Sequence, residues 1–256
     1  MGIKNKRLTE IRKLIEQHGY LSTVKIAEIL NVSPMTIRRD LKELEQKNEI
    51  IKIYGGAQSK KKIIQNEFTT DEKMKRNVTE KKEIASTLRN FIPDNVTVFL
   101  GAGTTLLFAA PFLINKNITF ITNSLPAFLE LKKNNCHIIL TGGELHQNTS
   151  EFLGTLAERA FEDLNIDYAL CSTNGITKNN VTTSNADEGS IQNVAINHSK
   201  KRIIVADHTK FNQSDIITFK KLNEFDFLIT DSGINNIDLE CYSKYTKIIY
   251  KGTVAK

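Results

Sequence analysis

Leu8, Ile11, Leu14 and Ile15 recur at helical spacing and predict an amphipathic helix over about residues 4–17, ended by Gly19. A second helix follows, capped by Ser22 or Thr23, with Ile26, Ala27, Ile29 and Leu30 on its apolar side. Asn31 and Val32 form a tight turn. In the next segment Ile37, Leu41 and Leu44 recur at i, i+4 and i+7, which predicts a third helix. Ser33 is placed to cap it, and Pro34 falls at the first helical position, where a missing N–H costs nothing. Thr36, Arg38, Arg39 and Lys42 are left outside the apolar stripe. Two short helices joined by a tight turn make a helix-turn-helix. The β-branched run at 50–53 and the paired glycines Gly55 and Gly56 add a short strand and a wing.

The pattern then changes. Residues 59–70 are polar and charged and read as a linker. A helix over about 71–91 carries Ile84, Leu88 and Phe91 in register. Short apolar runs follow at 96–100, 118–122, 137–141, 168–172, 202–206, 227–230 and 247–250, most of them succeeded by helical pattern. Alternation of this kind predicts an α/β domain with a mainly parallel sheet and no internal repeat. The expected organisation is a DNA-binding domain over 1–58, a linker over 59–70 and an α/β domain over 71–256.

Charge sharpens the division. Residues 1–62 hold 14 Lys+Arg and 7 Asp+Glu, a balance of +7, whereas the remainder holds 21 and 22, a balance of −1. The excess positive charge of the chain thus sits in the helix-turn-helix and the Lys60-Lys61-Lys62 run. That placement favours a polyanion, since phosphates attract Lys and Arg. No apolar run approaches the ~20 residues that span a bilayer. The N-terminus lacks an apolar signal core, so a cytoplasmic protein with no membrane partner is expected. Cys136, Cys171 and Cys241 are odd in number and far apart, which suggests buried thiols rather than disulfides or a zinc site.

Ligands of parallel sheets bind in loops at the carboxyl ends of the strands. Several such loops here carry chemistry. Gly101-Ala102-Gly103-Thr104-Thr105 follows a strand and opens a helix, where small residues and the helix dipole favour an anion. Leu106 replaces the third glycine of a dinucleotide fingerprint, and the Gly-Lys-Ser/Thr of a P-loop is missing, so a compact phosphate monoester fits better. Asn123 lies in a second strand-end loop, beside Ser124, which serves equally well as a helix cap. Thr141-Gly142-Gly143-Glu144 and Asn174-Gly175 follow further strands. Asp187 or Glu188, at a helix start, is suited to sugar hydroxyls. Lys210, within Asp207-His208-Thr209-Lys210-Phe211, is a natural phosphate partner. The five histidines show no metal-ligand spacing, and neither a metal nor a cofactor is expected.

These motifs together resemble the DeoR family of bacterial transcriptional regulators. The resemblance begins with Val32-Ser33-Pro34-Met35-Thr36-Ile37-Arg38-Arg39-Asp40-Leu41 and Tyr54-Gly55-Gly56-Ala57. It continues through the 101–105, 122–124, 141–144 and 207–211 loops, covering about residues 7–231. It implies a winged helix-turn-helix joined to a sensor domain similar to ribose-5-phosphate isomerase. It also implies repression of a sugar-uptake operon, relieved by a phosphorylated sugar. Within the family, residues 183–188 with Gln192, and 207–210, are most similar to the lactose branch, which implies tagatose 6-phosphate. Many members carry basic residues where this chain has Gln192-Asn193-Val194.

On this reading Ser33, Met35, Thr36, Arg38, Arg39, Lys42, Lys52 and Tyr54 meet double-stranded operator DNA. Gly101, Gly103, Thr104, Thr105, Asn123, Asp187, Glu188 and Lys210 meet the effector. Paired operator half-sites imply a homo-oligomer, a dimer or a tetramer. The alternatives are an activator of the same architecture and a sugar-phosphate isomerase with an appended domain.

Overall fold

The third helix forms as its sequence predicts. In the computed structural model, which describes residues 3–18, 20–47, 49–53, 56–59 and 69–251, the Ser33 hydroxyl accepts from Thr36 N at 3.2 Å and Pro34 opens the helix. The chain divides into two units, residues 1–66 and 67–256. The first contains α1 (Ile3–His18), β1 (Tyr20–Ser22), α2 (Thr23–Leu30), α3 (Pro34–Gln46), β2 (Ile50–Ile53) and β3 (Gly56–Ser59). Ser22, not Thr23, caps α2 through Lys25 N. Asn31, in the left-handed region at φ 50°, closes α2 and turns the chain toward α3. Leu8, Ile11, Ile15, Ile26, Ile37, Leu41 and Leu44 are buried together, so the apolar stripes of all three helices share one core.

Several details differ from the sequence expectation. Ile29 is exposed rather than on the buried side of α2. β3 pairs antiparallel with both β2 and β1, and β1 is too short for alternation to reveal it. The wing residue Tyr54 and the Lys60-Lys61-Lys62 run lie outside the described residues, as does most of the linker.

The second unit begins with two helices where the sequence suggested one. Thr69 and Glu72 form a capping box at the start of Thr70–Met74. Asn77, at φ 49°, then breaks the chain before Val78–Phe91. Beyond it lie β4 (Val96–Leu100), β5 (Ile118–Thr122), β6 (His137–Leu140), β7 (Glu144–His146), β8 (Glu151–Leu153), β9 (Ile166–Ser172), β10 (Gly175–Thr177), β11 (Asn180–Thr183), β12 (Ser199–Val205), β13 (Ile217–Lys221), β14 (Phe227–Ile229) and β15 (Lys247–Ile249). The seven strands expected from sequence form one sheet, in the order β15-β14-β12-β9-β4-β5-β6, and every pairing in it is parallel.

Alternate residues of these strands enter opposite cores. Phe99, Cys171 and Ile204 pack under the Ala186–Asn197 and Asn236–Tyr242 helices. Val98, Leu100, Phe120 and Leu170 pack under the Val78–Phe91, Thr104–Leu113 and Leu125–Lys133 helices. Both faces are therefore covered, which is why the strands read as near-continuous apolar runs. The β7–β8 hairpin and the antiparallel β10-β11-β13 sheet, absent from the sequence expectation, are tied to strand-end loops by bridges between Ser124 and Glu151 and between Ile176 and Phe211. Cys171 is buried, and burial pushes its thiol pKa up. Cys136 is only partly buried and Cys241 is exposed, contrary to the expectation of buried thiols. Among the described residues no helix is long and apolar enough to cross a membrane.

One ion pair ties α1 to α3. Asp40 is only 2% exposed, and Arg7 grips it with Nε at 2.6 Å and Nη2 at 3.2 Å. Removing the arginine strands a buried carboxylate. Arg7→Ala is expected to destabilise the N-terminal unit by about 2–3 kcal/mol, somewhat under the cost of breaking a fully buried pair because Arg7 keeps partial solvent contact. Urea unfolding of the full chain measures this, and Arg7→Ala with Asp40→Leu should recover much of the loss.

Candidate functional site

The outer face of α3 carries Arg38, Arg39 and Lys42, with Glu45 the exposed acid near its end. Its inward carboxylate, Asp40, is paired with Arg7. Glu43 is bound by Lys4 at 2.6 Å and by Lys47 at 2.8 Å, which lower its pKa to about 2. Asp40 and Glu43 therefore do not draw in the helix's arginines, and Glu45, exposed near the helix end, pairs with none of them. Among the described residues Arg38, Arg39 and Lys42 have no hydrogen-bond or ion-pair partner, and all three are exposed. Met35 stands exposed in the first turn, and Lys52 is exposed on β2. Ser33 and Thr36 differ from the others: their hydroxyls lie 2.9 Å apart, and that of Ser33 caps the helix. Both hold the helix start in place.

In the second unit the strand order reverses beside β4. The strands that follow it in the chain, β5 and β6, extend one way, and β9 returns to its other side. Open parallel sheets bind ligands in the crevice at such a reversal. Here the loop after β4 meets the end of β9. Gly103 has φ +123°, and a Cβ on it would lie 2.2 Å from Ser172 Oγ. Ser172 Oγ donates to Ala102 O at 2.7 Å, while Ala102 N donates to Asn123 Oδ1 at 3.0 Å. Neighbouring strand ends thus fix the loop from both sides. Gly101 packs close to the Leu170 carbonyl. Thr104 and Thr105 are buried at the start of the helix, and Ser124 caps the helix after β5 through Ala127 N.

Asn123 also reaches across the crevice, donating to Glu151 Oε2 at 3.1 Å. Glu151 and Glu188 are both buried, and with His146 their ligating atoms lie within 4.8 Å of one another. Thr183 and Ser184 hydroxyls donate to Glu188 Oε2. Of the two acidic candidates, Glu188 therefore faces inward and Asp187 is exposed, its backbone N–H donating to the cap residue Asn185. Sequence spacing left His146 and Glu151 without a role, because the β7–β8 hairpin that brings them to Glu188 has strands of only three residues.

Lys210 lies in a 3₁₀ turn after β12. It is partly buried, and among the described residues its ammonium has no hydrogen-bond or ion-pair partner. Burial lowers its pKa, opposed by Asp207 and reinforced by Lys73 and Arg76. Lys81, only 4% exposed, donates to the backbone carbonyls of Lys73 and Arg76. Its pKa is lowered to about 8, chiefly by burial, with Asp207 opposing and Lys210 and Lys73 adding to the fall. Asn77 Nδ2 ties this segment to the turn, donating to Asp207 Oδ1 at 3.1 Å and Thr209 Oγ1 at 3.0 Å.

Lys73, Arg76 and Lys81 escaped the sequence reading. One signal was available for Lys81: it falls three, four and seven residues before Ile84, Ala85 and Leu88, a lysine on an apolar stripe. His208 has a structural tie instead, with Nδ1 2.7 Å from Asp231 Oδ2 and its backbone N–H donating to Oδ1.

Comparison with known proteins gives a consistent result. Residues 7–63 match the DeoR-like helix-turn-helix domain, and residues 76–232 match the DeoR C terminal sensor domain. The chain is 38% identical over 231 residues to the lactose phosphotransferase system repressor of Staphylococcus aureus strain NCTC 8325, covering 89% of this chain and 92% of that protein. It is 36% identical over 252 residues to the repressor of the same name from Staphylococcus epidermidis strain RP62A, covering 96% and 99%. Among solved structures, ribose 5 phosphate isomerase A from Neisseria gonorrhoeae aligns at 15% identity and a TM-score of 0.40, over 52% of this chain and 53% of that one.

The crevice loop leaves no room for a side chain at Gly103. Gly103→Ala is expected to cost about 1–3 kcal/mol through its positive φ, with further displacement of Ser172. Thermal unfolding of the sensor unit within the full chain reads this, and the double variant with Ser172→Gly should recover only the steric part.

Proposed function

The chain belongs to the DeoR family of helix-turn-helix transcriptional regulators, and we propose that it represses a lactose phosphotransferase operon and releases it on binding tagatose 6-phosphate. The observation that carries the effector half is the partnerless ammonium of Lys210, set among Lys73, Arg76 and Lys81 at the strand ends. A partly desolvated lysine with no direct partner, under the opposed influence of Asp207 and Asp215 on one side and Lys73 and Arg76 on the other, can take an anion. A phosphate monoester supplies about two negative charges at neutral pH. The N–H groups at the start of the Thr104–Leu113 helix, with Gly101, Gly103, Thr104 and Thr105, are the second anion-binding element of the proposed site. Asn123 and Glu188, with Glu151, offer acceptors and a donor for sugar hydroxyls.

On the DNA side, α3 enters the major groove with Arg38, Arg39 and Lys42 outward. Arginine bonds bidentately to guanine, and either cation can instead hold a phosphate. Ser33 and Thr36 fix the start of α3, and Lys52, exposed on β2, is a further candidate contact. Two copies of the module reading paired half-sites imply a homo-oligomer. Effector binding releases DNA because it favours an arrangement that the operator does not, and a ligand shifts only what it binds differentially.

Three outcomes test the reading. Arg38→Ala with Arg39→Ala should weaken operator binding at least ~30-fold in a gel-shift assay, since each good base contact is worth about 1–3 kcal/mol. Lys210→Met should keep operator affinity but need at least ~10-fold more tagatose 6-phosphate for release, the loss of one charge-assisted bond. The pH dependence follows from Lys81. Its folded pKa is depressed to about 8, so it is charged below that pH and neutral above it. Affinity for tagatose 6-phosphate, measured by calorimetry, should therefore fall as pH rises through about 8, and Lys81→Met should flatten that fall.

A further inference from the structure

We infer that Met35 is a specificity residue that reads the C5 methyl group of a thymine in each operator half-site. The inference rests on the DNA-binding reading above and adds to it the chemistry of one contact.

The first two turns of α3 are the part of a recognition helix that meets base edges, and most of their side chains are already committed. Ile37 and Leu41 are fully buried in the helical core. Asp40 is held by Arg7. The Ser33 hydroxyl caps the helix and that of Thr36 lies against it. What remains outward is Pro34 at the helix start, Met35, Arg38 and Arg39. The two arginines have a choice of phosphate or guanine. Met35 has none: it carries no charge and no hydrogen-bond donor, so a phosphate offers it nothing.

Yet Met35 is 58% exposed in the free protein, a large apolar side chain left in water beside cations. Its neighbour in the helix is Pro34, whose ring lacks an N–H, so the tip of α3 offers apolar surface next to basic surface. In the major groove only one group matches that surface: the thymine methyl, the apolar feature that separates T·A from the other pairs. The flexible, polarisable thioether suits a contact of this kind.

The test uses the full-length protein. A duplex is selected from random-sequence DNA by the wild type, and each thymine of one half-site is then replaced singly by deoxyuridine, which removes only the methyl. At one thymine the replacement should weaken wild-type binding about fourfold, the worth of one buried methyl group. Met35→Ala should bind the unmodified duplex about fourfold more weakly and lose sensitivity to that replacement. Met35→Leu, which keeps an apolar side chain, should retain the sensitivity. The inference is overturned if no replacement weakens the wild type, or if Met35→Ala remains equally sensitive at every thymine. Selection of no sequence at all overturns the DNA-binding reading and Met35 with it. Unchanged salt dependence of Met35→Ala binding is the expected control, since no phosphate contact is lost.

Discussion

Two lysines drawn at least partly out of water, Lys81 and Lys210, are the constraint around which the sensor unit's strand-end turn is built. Lys73, Arg76, Lys81 and Lys210 act on one another across the turn after β12. Asp207, Asp215 and Glu80 oppose these cations, and Asp207 is buried and already accepts from Asn77 and from the backbone and hydroxyl of Thr209. Burial favours the neutral form of Lys81 and Lys210, and like charges add to that pressure. An anion relieves both effects at once. The fold keeps this arrangement in place through the Asn77 bridge and the two carbonyls that hold Lys81.

The position of that charge matters as much as its amount. It is carried on two segments: the turn after β12, rooted in the central sheet, and residues 73–81, which follow the linker in the chain. In the proposed account, an anion that joins the two segments biases the stretch of chain leading to the DNA-binding unit. The reading head at the other end is prepared rather than flexible. A hydroxyl cap, an initial proline and the Arg7–Asp40 pair fix the start and inner face of α3, leaving Arg38 and Arg39 free of partners inside the described protein.

Much of this was legible in the residues. Ile37, Leu41 and Leu44 fixed the orientation of α3, and its cap was read from Ser33 and Pro34. The seven parallel strands stood out because burial on both faces makes them apolar throughout. The misses have physical reasons. Asn77 in a left-handed conformation split a helix that periodicity joined. β1, β7 and β8 are three residues each, too short to show alternation. The cluster of Lys73, Arg76 and Lys81 with Lys210, and that of His146 with Glu151 and Glu188, form across long sequence separations, where spacing carries no information. Asp187 and Glu188 looked equivalent until the cap at Asn185 set which of them faces inward.

The central claim is that a phosphorylated sugar, recognised by its phosphate, controls DNA binding. The most direct measurement is fluorescence anisotropy of a labelled operator bound to the full-length protein, titrated separately with tagatose 6-phosphate, tagatose and inorganic phosphate. The account predicts release by tagatose 6-phosphate alone, because the phosphate anchors the ligand and the sugar supplies the contacts that distinguish two arrangements. Equal release by unphosphorylated tagatose, or no release by tagatose 6-phosphate at saturation, would contradict it.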